Sequence, residues 1–290
     1  MSKQPPSAPP QLAELRQEID RLDEEMHALL IRRGEIIDRL ITVKQTQEVG
    51  SAFRPAREAD MMRRLAERHR GILPLDTVES IWRVIIATFT YVQAPFSVHV
   101  DLAAGDAAMR DSARFHFGFT VPLISHFSAT AAVDAVTRSK GDLALVAATG
   151  GRADWWTALE RPDAPRIIAR LPFIERADHP AALPVFVVSR VAADAMVTEV
   201  EVWSVRVAGW NAEIARALSP LAEFVAVPDA TLEGAALLVS TSPARGEGGL
   251  DRVIATLVGA GASVRSTTLV GSHATRYTAR ARGQDRPVGR

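Results

Sequence analysis

Apolar residues recur every three or four positions from about residue 11 to residue 47, the spacing of one face of an α-helix. A single helix over this stretch would be roughly 55 Å long at about 1.5 Å per residue. It could not bury its apolar stripe against itself, so the pattern predicts two shorter helices, a partner chain, or both. The stripe consists of Leu12, Leu15, Ile19, Leu22, Met26, Leu29, Leu30, Ile36, Ile37, Leu40 and Val43.

Two shorter helices are predicted to follow, one over about 56–70 and one that ends near Gln93. Pro95 stops the second of these, because proline removes a helical hydrogen bond and clashes with the preceding turn. Asp76 is expected to be the N-cap of that helix, with Glu79 three residues further on. Residues 11–95 are therefore predicted to form a domain of three helices.

The pattern changes after Pro95 to strands that alternate with helices, which indicates α/β layering. Strands are predicted at 97–100, 143–147, 166–169 and 184–189, and helices at 107–117 and 129–139. From about residue 199 the predicted order is strand (200–207), helix (212–221), strand (223–227), strand (235–240), helix (250–258) and strand (264–269). This β-α-β-β-α-β order is typical of a ferredoxin-like unit.

The predicted fold class is thus a multidomain α plus α/β protein. The helical domain occupies residues 11–95, an α/β region 96–196, and a βαββαβ-like region 197–276. Residues 1–10 and 277–290 lack apolar periodicity and are predicted to be disordered.

Composition narrows the function classes. The 34 basic and 34 acidic residues balance, which argues against a nucleic-acid or anionic-membrane binder. No apolar run reaches the length of about 18 residues that spans a bilayer, and the N-terminus lacks the apolar core of a signal peptide. The chain has no cysteine and its seven histidines are scattered, so neither thiolate chemistry nor a metal site is expected. A cytoplasmic location is the expectation.

Cations on the predicted helices suggest a receptor for a small dianion. Arg33 and Lys44 are eleven residues apart, so on one helix they differ by only about 20° and by about 17 Å along the axis. Arg16 is seventeen residues before Arg33, about 25 Å away and rotated by roughly 100°. Arg16 therefore cannot reach a small ligand held by the other two on the same helix, and would have to come from a second copy of the chain.

The segment from Leu15 to Gln93 resembles the all-helical chorismate mutase family. Leu15–Asp23 (LRQEIDRLD) is similar to the opening of that family, and Leu29–Arg33 (LLIRR) to its next motif. Lys44, Arg54–Glu58 (RPARE) and Gln93 complete the pattern. The resemblance implies an intertwined homodimer that rearranges chorismate to prephenate, a step of phenylalanine and tyrosine biosynthesis.

The resemblance also implies a role for each matched residue. Arg33 would bind one carboxylate of chorismate, and Arg16 of the partner subunit would bind the other, since the guanidinium fork fits a carboxylate. Lys44 and Gln93 would donate hydrogen bonds to the ether oxygen as its bond to carbon breaks. The remaining two matched residues are Glu58, expected to accept from the substrate hydroxyl, and Arg57, expected to hold the connection between the first two helices.

The implied reaction is intramolecular and needs no nucleophile, metal or cofactor. Two positions depart from the family pattern. Arg54 stands where the family commonly has Asp, which affects the network around the substrate hydroxyl. Phe89 stands where the family often has Ser, which removes a donor to a carboxylate.

The second part of the chain weakly resembles a prephenate dehydratase, through residues 113–118 (ARFHFG) and 141–146 (GDLALV). The loop that carries Glu and Asn in that family reads AATGG at 147–151, and its Thr-Arg-Phe step appears as Leu183, Pro184 and Val185. The region is therefore predicted to be a degenerate dehydratase without that activity. Whether it binds an amino acid, prephenate or nothing is left open.

The sequence thus predicts a chorismate mutase whose partners are chorismate, prephenate and a second copy of the chain, with no nucleic acid and no membrane. One alternative is a bifunctional mutase and dehydratase, and another is a non-catalytic, metabolite-binding regulatory protein. A related helical family acts on isochorismate as a pyruvate lyase, and few residues separate that preference from the mutase.

Overall fold

The computed structural model describes residues 10–44, 52–149, 153–190, 198–229, 234–242 and 249–279. The chain divides into two compact units, residues 1–49 and 50–290. The predicted disordered ends at residues 1–9 and 280–290 lie outside the described residues. Pro10 is already helical, in keeping with the preference of proline for a first helical position.

The first unit contains one continuous helix, α1, from Pro10 to Lys44. At 35 residues it is about 50 Å long. The two shorter helices that the pattern allowed are therefore not seen, and Gly34 does not interrupt the helix. The apolar stripe therefore runs along one unbroken helix.

The second unit begins with two helices, α2 (Pro55–Arg68) and α3 (Leu75–Gln93). Both ends of α2 and the end of α3 lie within three residues of the predicted positions. The expectation that Asp76 is an N-cap is wrong, because the cap position of α3 is Pro74 and Asp76 lies in the first helical turn. There its buried carboxylate contacts the guanidinium of Arg176 at 3.6 Å.

The rest of the second unit is built on a nine-stranded sheet with the order β2-β1-β3-β6-β4-β10-β7-β9-β8, beside a two-stranded sheet of β5 and β11. The strands are β1 Val98–Asp101, β2 Leu123–His126, β3 Leu143–Ala147, β4 Arg166–Leu171, β5 Ile174–Glu175, β6 Val185–Ser189, β7 Val200–Ala208, β8 Glu223–Asp229, β9 Gly234–Thr241, β10 Ser263–His273 and β11 Tyr277–Thr278. The helices are α4 Asp106–Phe117, α5 Ala129–Thr137, α6 Ala212–Leu218 and α7 Gly249–Gly259, with 3₁₀ turns at Leu102–Ala104 and Trp155–Glu160.

The predicted α plus α/β class is confirmed, and every strand and helix predicted after residue 95 is present, β3 at its predicted bounds and the others with shifted ends. The four strands β10, β7, β9 and β8 are mutually antiparallel in that order. With α6 and α7 they form the predicted βαββαβ unit. Strand β2 was missed because it is a short edge strand whose four residues are half-buried or exposed and include only two apolar ones.

Residues 277–279, predicted as part of a disordered tail, are instead ordered. Tyr277 pairs with Ile174 and Thr278 with Glu175, in parallel. Tyr277 also packs against the main hydrophobic core. A two-residue strand leaves no periodic signal in the sequence, so only its packing reveals it.

One hydrophobic core joins α2, α3 and α4 to the sheet. It includes Met62 from α2, Ile86 from α3, Phe117 from α4, and Val98 and Leu171 from the sheet. The predicted boundary at residues 95 and 96 therefore falls inside a continuous core. The predicted regions 96–196 and 197–276 likewise share one sheet, joined where Gly271 of β10 pairs with Ile167 of β4.

Candidate active site

Helix α1 carries three of the six residues that the resemblance assigns to the substrate. Arg16 is exposed and Arg33 is half-buried. Lys44 is the last residue of the helix, and its side chain lies outside the described part of the structure. Because α1 is unbroken, the separation of about 25 Å between Arg16 and Arg33 along the axis applies to the folded protein.

The apolar stripe of α1 is exposed to solvent in the single chain. Nine of its eleven side chains are 39–61% exposed, a fraction typical of surface residues and not of a core, and Ile37 and Leu40 are half-buried. Contiguous apolar surface of this extent usually marks a protein interface. The most exposed large apolar residues of α1 are Leu15, Ile19, Leu22, Met26, Leu29, Ile31, Ile36 and Val43.

The other three assigned residues belong to the second unit. Arg57 and Glu58 lie in the first turn of α2, which begins at Pro55. Arg57 is exposed, whereas Glu58 is only 4% exposed. Gln93 is the last residue of α3, half-buried, and its Nε2 donates to the carbonyl oxygen of Phe89 at 2.9 Å.

Glu58 is held by a buried arginine that the sequence reasoning did not single out. Arg83 on α3 is completely buried, and its Nη1 donates to Glu58 Oε2 at 2.6 Å. Its Nη2 donates to the carbonyl oxygen of His116 on α4 at 3.2 Å, and its guanidinium lies 5.2 Å from the ring centroid of Phe173. Arg83 therefore fixes the Glu58 carboxylate while linking α2, α3 and α4.

Two histidines extend this buried network. The ring of His116 stacks on that of His179, with centroids 6.2 Å apart and an angle of 20° between the planes. His179 Nδ1 accepts from the backbone N–H of Ala181 at 3.0 Å, so its Nε2 carries the proton and donates to Glu79 Oε2 at 3.0 Å. Complete burial, helped by the Arg83 guanidinium and His179, holds the pKa of His116 well below its usual value. His116 is therefore neutral at pH 7.

The sequence does carry a signal for this network. Asp76, Glu79 and Arg83 follow one another at steps of three and four, so they lie on one face of α3. That face also carries the buried Ile86 and Thr90, so charges at this spacing would have to be buried with it. Charges on a buried helical face require partners, which the tertiary structure supplies from α2, α4 and the segment around His179.

Among the residues that the structure describes, no group of three or more His, Cys, Asp or Glu side chains could hold a metal ion. None of the helices in the same part of the chain has both the length and the apolar character needed to cross a membrane.

The two segments that would carry dehydratase chemistry lie side by side. The backbone N–H of Ala148, after β3, donates to the carbonyl oxygen of Pro184, before β6, at 2.8 Å. The family's polar residues at these positions are replaced by Ala147 and Ala148 on one side and by Leu183 and Pro184 on the other. Gly150 and Gly151 of the same loop lie outside the described residues. The side chains of Ala147, Ala148, Leu183 and Pro184 carry no acidic, basic or hydrogen-bonding group.

The chain is similar in structure to two solved proteins. One is described as GqqA, a novel type of quorum-quenching acylase; it is 12% identical, with 62% of this chain and 95% of that chain covered and a TM-score of 0.38. The other is prephenate dehydratase from Streptococcus mutans; it is 14% identical, with 63% of this chain and 98% of that chain covered and a TM-score of 0.38. Superpositions at this level assign no activity to this chain. No curated protein matches the chain significantly.

A sequence family matches the first part of the chain. Residues 15–94 match the family described as chorismate mutase type II. The matched segment is a little over a quarter of the chain and runs from the second turn of α1 to the residue after α3. It contains all six assigned residues, namely Arg16, Arg33, Lys44, Arg57, Glu58 and Gln93. The resemblance predicted from the sequence is thereby confirmed as a match of residues 15–94 to the type II chorismate mutase family.

Proposed function

We propose that the protein is a chorismate mutase that rearranges chorismate to prephenate as a homodimer. The observation that supports this most is the family match over residues 15–94, which includes every assigned residue. The unbroken helix α1, with its exposed apolar stripe, supports the dimeric part of the proposal.

The cations of α1 would bind the two carboxylates of the substrate. Arg33 would take one carboxylate in a bidentate pair, and Arg16 of the partner subunit would take the other. Binding both ends holds chorismate in the compact conformer in which the bond-forming carbons meet. Converting a rarely populated conformer into the bound state lowers the barrier without any chemical group being transferred.

The remaining residues would act on charge that develops during the rearrangement. Lys44 and Gln93 would donate to the ether oxygen, where negative charge grows as the C–O bond breaks. The amide of Gln93 has two N–H groups, and one of them already donates to Phe89, which fixes the orientation of the other.

Glu58 would accept a hydrogen bond from the substrate hydroxyl, with Arg57 supporting the start of α2. One oxygen of Glu58 is bonded to Arg83, so this role would fall to the other oxygen. The buried contact with Arg83 holds the Glu58 carboxylate in one position. Arg83 would then be a positioning residue for Glu58.

A subunit-mixing experiment tests the clamp and the dimer together. The variants Arg16→Ala and Arg33→Ala would each be prepared as inactive homodimers, and then unfolded and refolded together. If Arg16 acts in the partner's site, each heterodimer contains one site with both arginines intact. Random pairing then restores about a quarter of the wild-type rate, because half of the dimers are mixed and each has one working site.

The control is Arg32→Ala, which removes an exposed cation next to Arg33 on the same helix. It should keep the wild-type rate. Mixing it with either variant should give the same rate as mixing the wild-type protein with that variant. Lack of recovery on mixing, with both variants folded and dimeric, would show that Arg16 does not complete the partner's site. Full activity in Arg33→Ala would reject the clamp itself.

Product identification separates the mutase from its alternatives. Purified protein would be incubated with chorismate, with the loss of diene absorbance followed and the product analysed without acid treatment. We expect prephenate as the sole product. Phenylpyruvate would reveal a dehydratase site, pyruvate with an aromatic acid would indicate a lyase, and no turnover would favour a binding protein.

A further inference from the structure

A cavity of about 360 Å³ lies in the second unit, away from the residues assigned to the mutase. Its walls come from the ends of β4 and β10, from β5, and from the segment that joins α6 to β8. A cavity of this size is within the range of small-molecule pockets. At about 30 Å³ per water molecule, it has room for a ligand of about ten non-hydrogen atoms.

The wall of this cavity is cationic. Arg170 on β4 is 7% exposed, and the side chain of Arg276 is 9% exposed. Each is paired with a carboxylate: Arg170 with Glu223, and Arg276 Nη2 with Glu175 Oε1 at 2.8 Å. The carboxylates are about half exposed, so they lie on the open side and the guanidinium groups lie inside.

The charges of the cavity do not balance. Arg252 on α7, which is exposed, is a third cation in the lining. His273 contributes no charge at pH 7, because burial lowers its pKa to about 4. Among the lining residues that the structure describes, three arginines against two glutamates leave one positive charge for a ligand to neutralise.

Buried polar atoms without hydrogen-bond partners also indicate that a ligand binds in the cavity. Arg170 Nε, Thr241 Oγ1 and His273 Nε2 are buried and have no hydrogen-bond partner among the described residues. All three residues line the cavity. Buried polar groups are nearly always hydrogen-bonded, so three exceptions around one cavity call for a ligand or ordered water. The lining also contains Leu221 and Val253, which can cover the apolar body of a ligand.

We propose that this cavity is a binding site for a small monocarboxylate with an apolar body of up to about ten non-hydrogen atoms. The carboxylate binds to Arg276 and Arg170 and displaces Glu223, whose side chain is about half exposed and contacts both arginines. A carboxylate matches the guanidinium fork in a way that water does not. Neither α1 nor any residue assigned to the mutase contributes to this site, so the proposal does not depend on mutase activity.

Calorimetric titration of the full chain with phenylacetate tests the proposal. Two probes of the same shape serve as comparisons: phenylacetamide, which is uncharged, and 2-phenylethylamine, which is positively charged. We expect saturable binding of phenylacetate and at least about tenfold weaker binding of the other two, as loss of one charge-assisted pair implies. Equal binding of acid and amide would overturn the proposal, because the arginines would then contribute nothing.

Two variants of opposite expected effect distinguish ligand binding from a structural role. Arg276→Gln should weaken phenylacetate binding by about tenfold or more, since it removes one guanidinium. Glu223→Gln should tighten it several-fold, since it removes the internal carboxylate that competes with the ligand. A residue that only supports the fold would shift binding in the same direction in both variants, and that result would overturn the proposal.

Controls keep the test decisive if one variant folds poorly. Arg216→Gln removes an exposed cation on α6 outside the cavity and should leave phenylacetate binding unchanged. Arg252→Gln, at an exposed lining residue, should weaken binding less than Arg276→Gln and serves if that variant unfolds. Absence of saturable binding in both the wild type and Glu223→Gln would reject the site. Mutase rates of the folded variants should stay at the wild-type value.

Discussion

At the scale of single residues, the buried pair of Arg83 and Glu58 has the largest energetic consequence. The two side chains are 0% and 4% exposed and are joined at 2.6 Å. A buried charge pair costs desolvation energy whether or not it stabilises the fold, but removing one member leaves the other charge buried and unpaired. The pair therefore ties the candidate site of α2 to the stability of the second unit.

Replacement of Arg83 should accordingly be severe. Arg83→Met is expected to lower the free energy of unfolding by about 3–5 kcal/mol, because Glu58 stays buried without a partner. The double variant Arg83→Met with Glu58→Leu should recover part of that loss, since no charge is then buried. Chemical denaturation of the single and double variants measures both effects.

Arg63→Met is the matched control for that experiment. Arg63 forms ion pairs with Asp60 and Glu67 on the exposed face of α2. Because water already solvates these charges, the substitution should leave unfolding essentially unchanged. A double variant less stable than Arg83→Met would contradict the interpretation that the unpaired carboxylate causes the loss.

The sequence singled out Glu58 but not its partner. Motif comparison identifies residues one at a time and does not show which of them are in contact. Arg83 is 25 positions from Glu58 in the chain and lies on another helix. The charges at steps of three and four along α3 could have indicated a buried polar face. Which residue meets which depends on how α2, α3 and α4 cross, and no local pattern encodes that crossing.

At the scale of elements, the pairing of β10 with β4 joins the two halves of the sheet. Gly271 of β10 pairs with Ile167 of β4, next to an irregularity in the pairing of β10 with β7. A Cβ atom at Gly271 would lie well inside 3.0 Å of the backbone of Ile167. The strands can approach this closely only because residue 271 has no side chain.

Gly271→Ala should therefore destabilise the second unit by about 2–3 kcal/mol, the cost typical of overpacking against atoms that cannot move aside. Thermal and chemical unfolding would measure the change. Gly259→Ala, at the end of α7 with open space around it, is the matched control and should be neutral or slightly stabilising. Equal stability of the two variants would show that the sheet can open at this joint.

The elements themselves followed largely from the sequence. Helices with a clear apolar period and buried strands of four or more residues lie close to their predicted positions. The exceptions are β2, β5 and β11, which are too short or too exposed to leave a pattern. The start of α3 was also misplaced, since Asp76 is an attractive cap by type but forms a buried ion pair inside the helix.

At the scale of the whole molecule, the exposed stripe of α1 has to be reconciled with a stable protein in water. Helix α1 is 35 residues long, and most of its large apolar side chains are 39–61% exposed. Each such side chain contributes about 1.5–3 kcal/mol when fully buried, so even partial burial along the stripe would drive association. This is the physical basis for proposing a homodimer through α1.

Leu22→Glu should shift the protein toward monomers, because it places a charge within that stripe. Sedimentation velocity of the wild type and the variant at several concentrations measures the change. Arg21→Ala, at the exposed neighbouring position, should sediment as the wild type does. A monomeric wild type would contradict the proposal of a dimer, and a variant that associates as strongly as the wild type would place the interface elsewhere.

The sequence by itself determined the class of the fold, the positions of its long elements and the likeness of residues 15–94 to the chorismate mutase family, because periodicity and motif spacing are local properties of the chain. Only the tertiary structure decided that α1 is one unbroken helix and that α2 and α3 share a core with the sheet. It alone also revealed the partner of Glu58 and the arginine-lined cavity. These features depend on contacts between residues far apart in the chain, where burial and charge pairing are set by how elements pack.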